Sequence, residues 1–196
     1  MNQNSLTATM RAAFIFPIVI VLLSINLVVF DRSFYEENTS ANTTYANEPK
    51  NLISFFKGED LNTTLYTDRE VQHLYDVRQL IWISLIVLGF LTVLTATLLW
   101  KTKNRRKEWL WGGIFTLILT GIIALSLFSF SEAFVIFHKL IFMNDLWLLP
   151  KDATLIHLFP QTFFVTATKQ ILLYSTILSL LLVSIGARWQ KKNTVS

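Results

Sequence analysis

The chain has 196 residues, of which 53% are hydrophobic and only 15% are charged. A soluble domain carries about 25% charged residues, so this composition indicates a protein of the lipid bilayer. The formal net charge is +4, but the basic residues flank apolar stretches and therefore do not suggest nucleic-acid binding. The sequence contains no cysteine, which excludes disulfides and thiol catalysis.

Four stretches are long enough to cross a hydrocarbon core of about 30 Å as helices. They cover roughly residues 12–30, 80–100, 109–130 and 170–187, and none contains Asp, Glu, Lys, Arg or His. The first is longer than the apolar run of a signal peptide and ends without a small-residue cleavage pattern, so we interpret it as a retained anchor. We therefore expect residues 1–196 to form a single all-α integral membrane domain, a four-transmembrane-helix bundle.

The charge distribution predicts how this bundle is oriented in the cell membrane. The short link between the second and third spans carries five basic residues, from Lys101 to Lys107. Such a concentration is typical of a cytoplasmic loop. With four spans, both termini then face the cytoplasm, and residues 31–79 and 131–169 lie on the extracytoplasmic side.

The two outer segments differ from each other in composition. Residues 51–55 and 62–66 alternate between polar and apolar types, which suggests short β-strands in a small extracytoplasmic cap. Residues 133–149 are strongly apolar but contain a histidine, a lysine and an aspartate, so they make a poor fifth span. We interpret this stretch as an interfacial or re-entrant segment.

The first outer segment contains a histidine between two carboxylates. Helical i,i+3 spacing would place Glu70, His73 and Asp76 along one side of a helix. A carboxylate beside an imidazole fixes its tautomer and makes it a stronger base. Acidic residues at a helix start also complement the helix dipole, in which case His73 is merely interfacial. These residues alone leave both interpretations open.

The second outer segment contains the other two histidines. His138 lies among aromatic residues, where an imidazole is costly to charge, although a histidine at the membrane interface is the competing interpretation. His157 has only Asp152 as a nearby carboxylate, and we interpret it as a bystander. Arg78 and Lys139 either hold phospholipid headgroups or extend towards the interface, and we favour the second interpretation.

Motifs of several known enzyme classes are missing from the sequence. It contains no His-Glu-x-x-His helix, no Gly-x-Ser-x-Gly elbow and no phosphate-binding loop. Three histidines without a characteristic spacing do not predict zinc, so we expect no metal and no cofactor. The residues leave an outer-leaflet enzyme, a histidine-ligated metal-dependent hydrolase, or a non-enzymatic scaffold or chaperone that binds a partner through its outer loops.

Several motifs occur in a fixed order along the chain. They are Arg-Glu-x-x-His-Leu-x-Asp-Val-Arg at 69–78, Phe-His at 137–138 followed by Phe142, Asn144 and Trp147, and Leu-Ile-x-x-Phe-Pro-x-x-Phe-Phe at 155–164. In order and spacing they resemble the bacterial lipoprotein intramolecular transacylases, and the likeness covers nearly the whole chain. The four-span layout with a large first outer loop is similar too.

The resemblance implies a reaction and a set of site residues. Such an enzyme moves the sn-2 acyl chain of a lipoprotein's diacylglyceryl-cysteine onto the α-amine of that cysteine, which leaves a lyso-form lipoprotein. The implied partners are diacylglyceryl-modified lipoprotein amino termini in a phospholipid membrane. The implied catalytic residues are His73 and His138, with Glu70 and Asp76 supporting the first histidine, and Asn144 and Trp147 supporting the second.

This reaction needs proton transfer but no energy source, because conversion of an ester to an amide is downhill. We expect His73, oriented by Glu70 or Asp76, to act as general base, while His138 stabilises or protonates the developing anion. The reverse assignment stays open, as does the choice between direct amine attack and a transient acyl-imidazole.

Overall fold

The computed structural model describes residues 10–39 and 45–191, with side chains as far as residue 188. Within these ranges every regular element is helical, which confirms the predicted all-α class. The helices are α1 (Arg11–Val29), α2 (Arg32–Asn38), α3 (Glu48–Phe56), α4 (Asp68–Lys101), α5 (Arg105–Leu125), α6 (Phe130–Ile141), α7 (Thr154–Leu158) and α8 (Gln161–Lys191). A 3-10 turn, Ser126–Ser129, joins α5 to α6.

Among the described residues, four helical segments are long and apolar enough to cross a membrane. They are Arg11–Val29, Asp68–Lys101, Arg105–Ile141 and Gln161–Arg188. Each covers all or nearly all of one apolar stretch found in the sequence, so the four-span membrane fold is confirmed. Three segments are longer than predicted, and two of these thereby contain a histidine. The second starts well before residue 80 and therefore contains His73, and the third continues into α6 and therefore contains His138.

The described residues divide into two compact units, and each has its own hydrophobic core. The first unit consists of residues 10–25, 85–125 and 170–191, and the second consists of residues 26–84 and 126–169. All three histidines belong to the second unit. The chemistry predicted from the sequence is therefore confined to one compact part of the molecule.

Small and hydroxyl residues hold the helices of the first unit close together. A Cβ atom added to Gly113 would lie 2.7 Å from the backbone oxygen of Ser179, so only glycine fits there. The hydroxyl of Ser175 donates a hydrogen bond of 3.0 Å to the hydroxyl of Ser24, and both side chains are buried. Such contacts replace the hydrophobic effect as the main cause of association between helices in lipid.

The second unit has a core of side chains from α3, α4, α7 and the segment before α4. Its buried members are Leu52, Phe55, Phe56, Tyr66, Leu74, Ile81, Leu155 and Leu158. The phenol of Tyr66 donates a hydrogen bond to the buried carboxylate of Glu48. Burial, together with this carboxylate, raises the pKa of Tyr66, so the phenol keeps its proton. The segment before α4 is thereby fixed to α3.

The suggestion that the cap contains short strands is wrong. Residues 51–55 lie inside α3, where Leu52, Ile53, Phe55 and Phe56 are buried in a helical i, i+1, i+3, i+4 pattern. Five residues are too few to separate a period of 2 from one of 3.6. Residues 62–66 form a turn, because the side-chain oxygen of Asn62 accepts hydrogen bonds from Thr64 and competes with strand pairing.

Candidate active site

The beginning of α4 is fixed by a capping box. The hydroxyl of Thr67 accepts a hydrogen bond from the backbone N–H of Glu70, and the Glu70 carboxylate accepts from both the N–H and the hydroxyl of Thr67 at 2.8 Å. The pattern Thr-x-x-Glu satisfies free donors at a helix start and explains why α4 begins at Asp68. The first turns of α4 are therefore well defined.

His73 follows Glu70 by one turn on the same side of α4. Its imidazole is half-buried and lies edge-on to the ring of Phe142, with the two centroids 5.2 Å apart. Among the described residues, the buried Nδ1 atom of His73 has no hydrogen-bond partner. This ring nitrogen is therefore not committed to holding the fold together.

His138, on α6, is 8% exposed and is held in a defined orientation. Its Nδ1 atom lies 2.8 Å from the backbone oxygen of Phe134, one turn earlier. A carbonyl oxygen can only accept, so Nδ1 carries the hydrogen, and in the neutral ring Nε2 holds the free lone pair. The ring of Trp147 packs against the imidazole at a centroid distance of 5.1 Å, and that of Phe134 at 4.1 Å.

The fold places His73 and His138 next to each other. Their ring centroids are 6.3 Å apart, with an angle of 38° between the planes, and Phe142 touches both rings. An apolar, partly buried setting disfavours charged imidazolium, and two adjacent charges would also repel each other. This pair can therefore accept and release a proton but is poorly suited to carrying two positive charges.

The loop after α6 is attached to α4 by two polar contacts. The amide of Asn144 donates a hydrogen bond of 2.9 Å to the carboxylate of Asp76, and the guanidinium of Arg69 donates to the backbone oxygen of Asp145. The same loop carries Trp147, which packs on His138. An open pocket of about 570 Å³ lies here, lined by Val135, Lys139, Phe142, Met143, Asn144, Asp145, Trp147 and Leu148.

Not every residue that the sequence singled out lies at the histidine pair. Besides its capping contacts, the Glu70 carboxylate accepts a hydrogen bond of 2.8 Å from the backbone N–H of Leu155, so it connects α4 to α7. Its described hydrogen bonds do not include one to His73. His157 is exposed on α7. No sequence pattern points to the carbonyl of Phe134, since any residue one turn before a helical histidine presents the same backbone group.

No three His, Cys, Asp or Glu side chains within the described ranges approach closely enough to hold a metal ion. The histidine pair has aromatic neighbours instead of further ligands. The two imidazoles are partly buried among these rings, an arrangement that is suited to proton transfer.

The fold and the site together define an integral membrane protein with a histidine pair beside an open pocket. The chain belongs to the family described as "Lipoprotein intramolecular transacylase Lit", whose match covers residues 10–164. The family name denotes an acyltransferase.

Solved structures share this fold. The structure of the lipoprotein intramolecular transacylase Lit from Bacillus cereus has a TM-score of 0.81 and 24% identity, covering 97% of each chain. A variant of the same protein with one histidine replaced by alanine gives a TM-score of 0.78 at 23% identity, covering 97% of this chain and 95% of that chain. At these identities the likeness establishes a common fold.

A relative by sequence comes from Aquifex aeolicus (strain VF5) and is described as an uncharacterized protein. It is 28% identical over 130 residues, which cover 64% of this chain. The matched part spans 58% of the length of that relative.

Proposed function

We propose that this chain is an intramolecular transacylase that moves the sn-2 acyl chain of a lipoprotein's diacylglyceryl-cysteine onto the α-amine of the same cysteine. The observation that carries the proposal is the pairing of His73 with His138, 6.3 Å apart between centroids, from helices distant in sequence. Membership of a transacylase family supports the general reaction. The proposed partners are lipoproteins with a free, lipidated amino terminus.

The reaction proceeds by attack of the amine on an ester. A neutral α-amine forms a bond from its nitrogen to the ester carbonyl carbon, and the bond from that carbon to the sn-2 oxygen breaks. One proton leaves the nitrogen and one proton reaches the departing oxygen, so the products are an amide and a free hydroxyl. An α-amine has a pKa of about 7.7–8.0, so a sizeable fraction is already neutral near pH 7. No other reactant is needed.

We assign the role of general base to His138, which reverses the assignment expected from the sequence. The bond from its Nδ1–H to Phe134 keeps Nε2 free to accept a proton and stabilises the imidazolium that forms. His73, whose Nδ1 has no partner in the described structure, then takes up this proton and delivers it to the leaving oxygen, so the pair carries one extra proton at a time. General acid–base catalysis of this kind contributes about 10²–10⁴-fold.

Positioning supplies the rest of the rate increase in this proposal. Both reacting groups belong to one cysteine, so the reaction is unimolecular within the bound substrate. Binding then holds the amine and the ester in a favourable orientation. The open pocket beside the pair provides room for the lipidated cysteine. We further propose that the pair faces the extracytoplasmic side, in accordance with the basic loop at 101–107.

Mass spectrometry of lipoprotein amino-terminal peptides tests this function. We expect cells that express the chain to contain peptides with one acyl group on nitrogen and one on the glycerol, and cells without it to keep the free amine and two ester-linked chains. Because the acyl chain only changes position, the total peptide mass stays constant and fragmentation must locate the chain. An identical fragmentation pattern in both cell types would refute the proposal and favour a scaffold.

A further inference from the structure

Arg78 lies in an aromatic cluster that the proposed reaction does not use. The central carbon of its guanidinium is 4.2 Å from the ring centroid of Phe55, 4.7 Å from that of Tyr75 and 5.5 Å from that of Trp82. Tyr75 and Trp82 flank it on one face of α4, at i−3 and i+4, while Phe55 comes from α3. These four residues are called the arginine cluster below.

Packing between α3 and α4 holds the rings of the arginine cluster in place. Phe55 is fully buried and meets Tyr75 edge-on, at a centroid distance of 5.2 Å and an angle of 90°. The indole N–H of Trp82 donates a hydrogen bond of 2.8 Å to the backbone oxygen of Phe56. The guanidinium is therefore oriented by the fold before any ligand arrives, which reduces the entropic cost of binding.

The aromatic rings do not satisfy the hydrogen-bonding capacity of Arg78. A ring face attracts the positive charge but accepts none of the five in-plane N–H groups in good geometry. In the ranges described by the structure, no carboxylate lies within ion-pair distance of Arg78, and its guanidinium is described only in contact with the three rings. A half-buried guanidinium with free donors calls for an acceptor from outside the chain.

The position of Arg78 indicates which acceptor it meets. It lies two residues before the apolar stretch 80–100, and tryptophan and tyrosine beside it are typical of the membrane–water interface. The abundant oxyanion at that depth is the phosphate of a phospholipid, whose geometry matches the guanidinium fork. Trp82 and Ile83, which follow on α4, are about half exposed and can contact an acyl chain.

We propose that the arginine cluster binds the phosphate of a membrane phospholipid. The site does not depend on the transacylase reaction, so its test measures binding and not turnover. Native mass spectrometry of the purified full chain in detergent, titrated with phosphatidylglycerol, gives the number and affinity of bound lipids. We expect Arg78→Gln to weaken this binding by about tenfold or more, because charge-assisted hydrogen bonds are lost.

Three controls distinguish this site from general attraction to lipid. Arg32→Gln removes an exposed arginine that is already paired with Glu36 at 2.6 Å, and we expect unchanged binding. Arg78→Lys keeps the charge without the fork, and a loss of several-fold is expected even if Arg78→Gln folds poorly. Diacylglycerol, which lacks phosphate, should bind equally to the wild type and to Arg78→Gln.

Two results would overturn the proposal. One is wild-type affinity for phosphatidylglycerol in an Arg78→Gln protein that has the thermal stability of the wild type. The other is displacement of the lipid by inorganic phosphate at equal concentration, which would show that a free anion and not a lipid is the ligand. Phosphatidylglycerol should win that competition, because its acyl chains add apolar contact that inorganic phosphate lacks.

Discussion

Asn144 donates a hydrogen bond of 2.9 Å to the carboxylate of Asp76 and so attaches the loop that covers His138 to the helix that carries His73. Sequence spacing had placed Asp76 on the same side of a helix as His73, which suggested a direct effect on that imidazole. The described hydrogen bond of Asp76 is instead made to the loop. We infer that Asp76 and Asn144 act together as positioning residues, through the contact of Trp147 with His138.

A double-mutant cycle with Asp76→Ala and Asn144→Ala tests this inference. We expect each substitution to lower kcat by roughly tenfold, because the site loosens by a fraction of an ångström, with a smaller change in KM. The double variant should lose no more than either single variant, since both remove the same bond. The measurement is the rate of acyl transfer by purified protein on a synthetic lipidated peptide. A much larger loss for Asp76→Ala alone would mean that Asp76 acts directly on His73.

The two paired histidines should be far more sensitive to substitution than the third. We expect His73→Gln and His138→Gln each to lower kcat by about 10²-fold or more, because each removes one proton-transfer group. His157→Gln is the matched control, since His157 is exposed and its described surroundings give it no part in the pair. The rate of acyl transfer on the synthetic lipidated peptide is measured for variants that purify in equal yield. Equal activity of the three variants would refute the assignment of His73 and His138 as catalytic residues.

Glu70 should matter for stability more than for proton transfer. Its carboxylate is 1% exposed and accepts bonds from Thr67 and from the backbone N–H of Leu155. Glu70→Gln replaces one acceptor oxygen by a donor, so we expect the free energy of unfolding to fall by about 1–3 kcal/mol. The measurement is thermal unfolding in detergent, combined with kcat below the transition. A large loss of kcat with unchanged stability would restore Glu70 as a residue that orients His73.

Local properties of the chain account for the features that the sequence predicts correctly. Apolar length and charge predicted the four spans, and the Thr67 to Glu70 spacing marks the start of α4, because both depend on neighbouring residues. The bond from Glu70 to Leu155 joins residues 85 positions apart, and no local pattern encodes it. The prediction of a strand at residues 51–55 is wrong for a related reason: their helical pattern emerges only when the rest of α3 is included.

Glycines on α5 should differ sharply in their tolerance of alanine. A Cβ atom at Gly113 would lie 2.7 Å from the backbone oxygen of Ser179 and 2.9 Å from the backbone nitrogen of Val183, and neither backbone can move cheaply. We expect Gly113→Ala to lower the free energy of unfolding by about 1–3 kcal/mol through overpacking, as measured by thermal unfolding in detergent. Gly121→Ala, on the same helix with nothing within 4 Å, is the control and should be neutral or slightly stabilising. Equal stability of the two variants would contradict close packing at Gly113.

The proposed orientation in the membrane can be tested with single cysteines, because the chain contains none of its own. Glu59→Cys and Lys151→Cys place a thiol at exposed positions of the two segments proposed to lie outside, and Lys103→Cys places one in the basic loop. We expect a membrane-impermeant maleimide to label the first two variants in intact cells and to leave the third unlabelled until the cells are permeabilised. This result follows from the preference of basic loops for the cytoplasm. Labelling of Lys103→Cys in intact cells would reverse the orientation and place the histidine pair on the cytoplasmic side, where it would not meet exported lipoproteins.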